Sequence, residues 1–424
     1  MSAPLVGPTL KSPKTQWTWD KTYQVAIILF VASIPLSKAA GSVAEALMAL
    51  CWLAGIGKSD ERAARWQRWK QNSWLWGFPL LFLYYVIGGL HSVDVRGWLM
   101  EINAKHYWVT LPLMWGTLRP HTKTIHYAWW TFVLCNLVVS LMVIWIHWTG
   151  LPLWEGTIKI PSPLVQRPRA SLFLAISCLW LLHSMKRNTV APLVPRPLAI
   201  PMLLICLWGL IWMEGRIGQV AFVLGLGWMA WKEWTKVKER LLLVMGLGFL
   251  VGVGWIGFSS IREPFLEAIQ EYNESQAGYP HSEPKFSSIG MRFTYWNTYW
   301  DLLRKNPWLG LGSGDLDHIA KPLFQDHPLE IPFHRPHNQW LELGVHLGFP
   351  AILLALGAWA LWWTKRCLEH QFLWEALTLV WFLSTWLDCT WSTQAGLSAF
   401  MGLSLTLLLV EDPENQGPYH EASA

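Results

Sequence analysis

His126–Thr149 reads HYAWWTFVLCNLVVSLMVIWIHWT and contains no Asp, Glu, Lys or Arg. A helix needs about 20 consecutive apolar residues to cross a bilayer core roughly 30 Å thick. This run meets that length with no charge to desolvate. It predicts a transmembrane helix, and the rest of the chain has a composition to match. Of 424 residues, 53% are hydrophobic and 14% charged, with a mean hydropathy of +0.26. Soluble domains carry about 25% charged residues, and disorder needs low hydrophobicity with high charge. Both classes are excluded. The 33 Trp suit the two membrane–water interfaces, where an apolar ring body meets a wet rim. The net charge of +5 suits a neighbour of anionic lipid and makes no case for nucleic acid.

Outward from 126–149, apolar runs predict further spans at 22–38, 41–57, 74–91, 106–118, 170–185, 198–213, 217–231, 241–259, 338–363, 372–388 and 396–411. The expected fold is an all-α polytopic membrane protein of about 12 transmembrane helices with one mainly helical outer loop domain. The 106–118 run is short. The 338–363 run is long, and Pro350 is expected to break it, leaving 338–347 as a partial helix that feeds a true span. The domain plan is about nine helices in 1–259, a loop domain in 260–337, about three helices in 338–411 and a tail in 412–424. Nineteen Lys and Arg fall on the side of the N-terminus, against seven in the short loops opposite. The positive-inside rule then puts both termini in the cytoplasm. The first apolar run, followed by Ala39 and Ala40, also has the look of a signal peptide, whose removal would not alter the sidedness of the rest. No internal repeat supports an inverted-repeat transporter.

Six cysteines, Cys51, Cys135, Cys178, Cys206, Cys367 and Cys389, are scattered singly. No CxxC or paired spacing occurs, which points to buried small hydrophobes. Residues 262–276 have apolar Phe265, Ile269 and Tyr272 at helical spacing. A Gly-Pro-rich loop follows at 278–286, then a second helix capped by Ser287 or Ser288 and ended by Asn306-Pro307. A glycine-rich turn and a short helix over 315–326 lead to His334-Arg335-Pro336-His337-Asn338.

Charged side chains at the outer ends of spans are costly unless paired or functional. Three features meet that description. Arg216 lies in the tight turn Glu214-Gly215-Arg216 and is a candidate anion clamp, or else an interface anchor paired with Glu214. Arg292 sits near the start of a loop helix, where helix dipoles favour anions and a cation invites one. His337 is suited to proton transfer near neutral pH. Arg335 beside it is expected to disfavour imidazolium and so keep His337 able to accept a proton, and Asn338 to fix the ring or hold a hydroxyl.

Weaker candidates have plainer explanations. Asp315-Leu316-Asp317 has the DxD pattern of metal–nucleotide-sugar sites, yet Asp315 is well placed as a helix N-cap. Gly310–Gly314 lacks the Lys-Ser/Thr of a P-loop and reads as a turn. Glu45, Glu375 and Asp388 are isolated carboxylates in or at the ends of spans, of the kind that pairs within a bundle. No HExxH, GxSxG or Cys-His metal spacing occurs.

In this order, these residues resemble the O-antigen ligase family of the wider O-antigen ligase and polymerase superfamily. The resemblance rests on Arg216 in an outer turn, on Arg292, Trp296, Pro307, Gly310 and Gly312, and on His337-Asn338 with Leu341, Gly344 and Gly348. It covers about 210–350. Arg167-Pro168-Arg169-Ala170 partly matches a related stretch without its glycine. The resemblance implies an inverting, metal-independent glycosyltransferase of GT-C type, with no cofactor, in the bacterial inner membrane, its active site periplasmic. Its substrates would be a glycan on undecaprenyl diphosphate and the lipid A–core oligosaccharide, both held among membrane lipids. His337 would be catalytic, Arg216 and Arg292 would bind the donor diphosphate, and Asn338, Arg335 and Trp296 would support them. A polymerase of the same superfamily and, from another class, a transporter or flippase are the alternatives.

Overall fold

The computed structural model describes residues 19–54, 59–150, 164–187, 196–213, 215–233, 290–325, 335–365 and 370–409, with single positions between 236 and 270. Among these residues the regular structure is all helical. In chain order the α-helices are α1 (Trp19–Ser33), α2 (Lys38–Ala54), α3 (Ser59–Gln71), α4 (Gly77–Gly88), α5 (Val95–Lys105), α6 (Tyr107–Thr117), α7 (Thr122–Thr149), α8 (Arg167–Arg187), α9 (Arg196–Trp212) and α10 (Arg216–Glu233). They continue with α11 (Gly290–Lys305), α12 (Leu316–Gln325), α13 (Gln339–Leu347), α14 (Phe349–Thr364), α15 (Gln371–Leu387) and α16 (Gln394–Leu408). Short 3-10 turns precede α4, follow it, and join α15 to α16 at Thr390–Ser392.

The quoted run becomes α7, and its two faces show what surrounds the protein. Ala128, Phe132, Val133, Val139 and Val143 are buried, whereas Leu134, Val138, Leu141 and Trp145 are 40–51% exposed. A helix on a water-soluble protein turns polar residues outward. This helix is apolar on both faces, so its outer face suits lipid. Three described helices are long and apolar enough to cross a membrane, Ser73–His91, Thr122–Thr149 and Arg167–Lys186; Pro197–Trp212, Phe349–Thr364 and Gln394–Leu408 are apolar but shorter. The expected span at 241–259 and the expected helix at 262–276 lie mostly outside the described residues, as do the 278–286 loop and the Ser287 or Ser288 cap.

The interior corrects the expectation for tryptophan. Trp108, Trp115, Trp129, Trp130, Trp362, Trp374, Trp381 and Trp391 are buried, with at most 2% exposure. Trp359, Trp362 and Trp391 pack around Phe400, with ring centroids 5.2–5.6 Å apart, the first two stacked and the third tilted. Large rings fill the gaps between crossing helices at a contact area that smaller side chains cannot reach. Much of the tryptophan is therefore packing material rather than an interfacial belt.

The break in the 338–363 run falls at Gly348 rather than Pro350. Gly348 has φ 78°, and a Cβ there would lie 2.4 Å from the Trp308 carbonyl oxygen. Only glycine combines that backbone with that approach. Pro350 lies in the first turn of α14, where its missing N–H costs nothing. The result is a short buried helix, α13, that enters the bundle and stops.

Candidate active site

Five pieces of chain meet at one end of the bundle: the starts of α8, α10 and α11, the segment 335–338, and the residues just after α15. The segment 335–338 is pinned from both sides. Trp296 on α11 donates its indole Nε1–H to the Pro336 carbonyl at 2.7 Å. Asn338 caps α13, its side chain accepting from the Leu341 amide at 3.0 Å. Between these anchors His337 has φ 50°, the left-handed region, alone among the described non-glycine residues. Such a backbone costs of order 1–3 kcal/mol and survives only where neighbours impose it.

His337 Nδ1 lies 3.1 Å from Asp388 Oδ1, with the histidine side chain 36% exposed and the aspartate 10%. Asp388 follows the last residue of α15, and its amide donates to the Ser384 carbonyl at 2.8 Å. Its other oxygen, Oδ2, lies 3.6 Å from the Arg169 guanidinium at the start of α8. The two loops that carry His337 and Asp388 are laced together behind the pair. The Trp391 amide donates to Gln339 Oε1 at 2.7 Å, and Ser392 Oγ donates to buried Glu342 at 2.6 Å.

Gly215 brings Arg216 to the same place. A Cβ on Gly215 would lie 2.2 Å from Ser171 Oγ on α8, so only glycine lets the turn before α10 approach so closely. The Gly218 amide donates to Ser171 Oγ at 3.3 Å, which fixes α10 against α8. Arg216 is exposed at the first position of α10 and Arg292 is half-buried near the start of α11. Burial depresses the Arg292 guanidinium from its ordinary value; Asp388 acts against that, and Arg216 adds to it as a like charge. Among the described residues neither Arg216 nor Arg292 has an ion pair or a side-chain hydrogen bond. Asp388 thus has His337 at 3.1 Å, Arg169 at 3.6 Å and Arg292 within electrostatic reach, and Arg216 in turn acts on Arg292, so guanidinium groups outnumber this carboxylate in a way that suits an anion.

Arg335 does something other than expected. Its Nη1 lies 2.7 Å from Glu342 and its Nη2 2.6 Å from Glu101, with Asp317 at 3.6 Å. Glu101 also pairs with buried Lys105. Burial opposes the charge of Glu101, but Lys105 and then Arg335 prevail and hold its carboxyl well below the usual range. In the same way Glu342, Glu101 and Asp317 outweigh burial and raise Arg335. The arginine is a clasp between α5, α12 and α13. Its side chain is turned to three carboxylates, while the His337 ring faces Asp388.

The other motifs serve the frame. Asp315 accepts from the Val93 and Asp94 amides at 2.9 and 2.7 Å, so both oxygens of this DxD carboxylate hold a loop. In the glycine turn the Leu311 and Gly312 amides donate to the carbonyls of Val345 and His346 at 2.8 and 3.0 Å, tying the loop to the end of α13. Beside the His337 segment runs a groove of about 400 Å³ lined by Trp296, Trp300, Leu303, Trp340, Ile352 and Trp386, among others. Asp388, Arg169, Glu101 and Glu342 are the site residues that the sequence leaves unassigned or weak. Residues 201–356 match the model of the O-antigen ligase family.

That segment includes Arg216, Arg292, Trp296 and His337, while Arg169 and Asp388 lie outside it. No curated protein matches the chain.

Proposed function

We propose that the protein is an O-antigen ligase. In this reading it transfers a glycan from undecaprenyl diphosphate to a sugar hydroxyl of the lipid A–core, with inversion and without a metal. The carrying observation is that Arg292, which has no ion pair among the described residues, lies within electrostatic reach of both Arg216 and the Asp388 that holds His337. The acceptor hydroxyl attacks the anomeric carbon from the face opposite the diphosphate. The new C–O bond forms as the bond to the diphosphate oxygen breaks and its electron pair leaves with the lipid. Arg216 and Arg292 receive that charge as fixed donors in a site partly shielded from water. With Nδ1 engaged by Asp388, the acceptor proton goes to His337 Nε2. Asp388 orients the ring and stabilises the imidazolium that forms.

The tryptophan-lined groove supports a lipid substrate, since an isoprenoid or acyl chain matches its apolar wall and Trp296 joins groove to site. The arrangement about the bilayer is part of the same proposal: about twelve spans in a GT-C-like fold, both termini in the cytoplasm, and the site on the periplasmic face of the inner membrane.

The test uses the purified full chain, undecaprenyl diphosphate-linked glycan and lipid A–core, with EDTA throughout. Glycosylated lipid A–core from the wild type, lost in His337→Ala, Arg216→Ala and Arg292→Ala, is the expected result. Product abolished by EDTA and restored by Mg²⁺ would overturn the metal-independent mechanism. Lengthened lipid-linked glycan with unmodified lipid A–core would make the enzyme a polymerase.

A further inference from the structure

A second cavity, of about 340 Å³, lies away from the candidate site between α2 and α6. Its polar end is built by Glu45, His106 and Thr110. Glu45 Oε2 lies 2.9 Å from His106 Nε2, and Glu45 Oε1 accepts from Thr110 Oγ1 at 2.8 Å. His106 Nδ1 faces the Asn103 carbonyl. Both ring nitrogens therefore face oxygen acceptors, and both donate only when the ring is an imidazolium. The mouth of the cavity thus presents a cation and an anion side by side. Beyond it the wall is apolar, with Ala49, Leu53, Leu113 and Met114 among its lining.

The proportions of this cavity suit one membrane lipid. Its lining on α2 runs from Ser42 to Leu53, a rise of about 16 Å at 1.5 Å per residue. That is about half of the ~30 Å hydrocarbon core, one leaflet deep. Its charged end faces the same end of the bundle as His337. Gln394, two residues after Ser392 of the site frame, donates to Ser42 Oγ at 2.7 Å and to Tyr107 Oη at 3.1 Å. The α2 residues beside it, Leu50 and Leu53, are 61% and 55% exposed, as side chains facing lipid would be.

We infer that this notch binds one phospholipid of the leaflet on the side of the active site, with an amine-bearing, zwitterionic headgroup. Its ammonium meets Glu45, whose carboxylate has about four acceptor sites and is faced by three donors, His106, Thr110 and Tyr107. Its phosphate lies against the positive charge of His106, whose two N–H groups stay on Glu45 and Asn103, and one acyl chain fills the apolar length. An anionic headgroup without an amine would still set its phosphate near His106 but would leave Glu45 with no ammonium to meet.

Native mass spectrometry of the delipidated full-length protein tests this, with phosphatidylethanolamine or phosphatidylglycerol of identical acyl chains added back. The wild type is expected to retain one phosphatidylethanolamine about tenfold more tightly than phosphatidylglycerol, the factor that one charge-assisted hydrogen bond supplies. Glu45→Gln removes the preference and keeps binding, because the apolar length is intact. Ala49→Trp fills the groove and loses the bound copy; if that variant does not fold, Glu45→Gln alone decides. Equal retention of both lipids by the wild type would overturn the inference, as would a preference unchanged in Glu45→Gln.

Discussion

His337 Nδ1 and Asp388 Oδ1 are 3.1 Å apart across 51 residues of chain. The contact turns a lone histidine into an oriented one. A carboxylate on Nδ1 selects the ring orientation and tautomer and steadies the imidazolium formed when the ring takes a proton. Asp388→Asn keeps the shape and removes the charge. Its kcat for glycan transfer is expected to fall on the order of 10²–10⁴, the range of general-base assistance, with KM for the donor little changed. Steady-state kinetics checks this, and an Asp388→Asn variant with wild-type kcat would remove the dyad from the mechanism.

Arg216 and Arg292 reach the site from different helices, and each is expected to act on the leaving diphosphate. Arg292→Ala and Arg216→Ala should each lower kcat by ~10²–10³, the usual loss of one preorganised donor. Arg292→Lys should recover only part, because an ammonium cannot make the bidentate contact of a guanidinium. If donor KM rises while kcat holds, the arginines contribute ground-state binding alone.

Arg216 and His337 stand out in the sequence because each is a charged or titratable side chain at the edge of an apolar run, and Arg292 because it is a cation near the start of a loop helix. Hydropathy shows where a helix stops, so it also marks Asp388 at the end of its span. It says nothing of which neighbouring helix end Asp388 faces, and the bond to His337 is a tertiary fact. Arg335 is a second tertiary fact of this kind. Its nearness to His337 in sequence suggests an electrostatic partner, but its side chain turns to Glu101 and Glu342. Pro350 is the obvious breaker of its run, yet the left-handed backbone is at Gly348, a position decided by the close approach of Trp308. The tryptophans mislead by number, since composition does not separate an interfacial ring from a core ring.

Glu101 is buried between Lys105 and Arg335. Glu101→Gln leaves both cations short of a counter-charge, and removing one partner of a buried pair typically costs ~3–5 kcal/mol. A marked drop in Tm of the detergent-solubilised protein is expected at neutral pH. The pH dependence has a definite sign. The Glu101 carboxyl is held below its ordinary value, so its stabilisation is complete above the unfolded value of about 4.3 and is lost as pH falls toward the folded one. Between about pH 5 and pH 2 the wild type should lose more Tm than Glu101→Gln. Parallel Tm–pH curves for the two proteins would show that the carboxylate is not what couples this network to acid.

Trp296 contributes an N–H to the Pro336 carbonyl at 2.7 Å, one residue before the left-handed His337. Trp296→Phe keeps an aromatic ring in the groove wall and deletes that one bond. A single neutral hydrogen bond is worth about 0.5–1.5 kcal/mol in stability, so Tm should move by only a few degrees. The consequence for catalysis is larger if the bond helps impose the strained backbone at His337. Relaxation of φ would swing the imidazole away from Asp388, and misplacement of a catalytic group by about 1 Å can cost on the order of 10² in rate. Trp296→Phe is therefore expected to lower kcat by about tenfold or more while leaving donor KM and Tm near wild type. An unchanged kcat would mean that Asn338 and Asp388 hold His337 without help from α11.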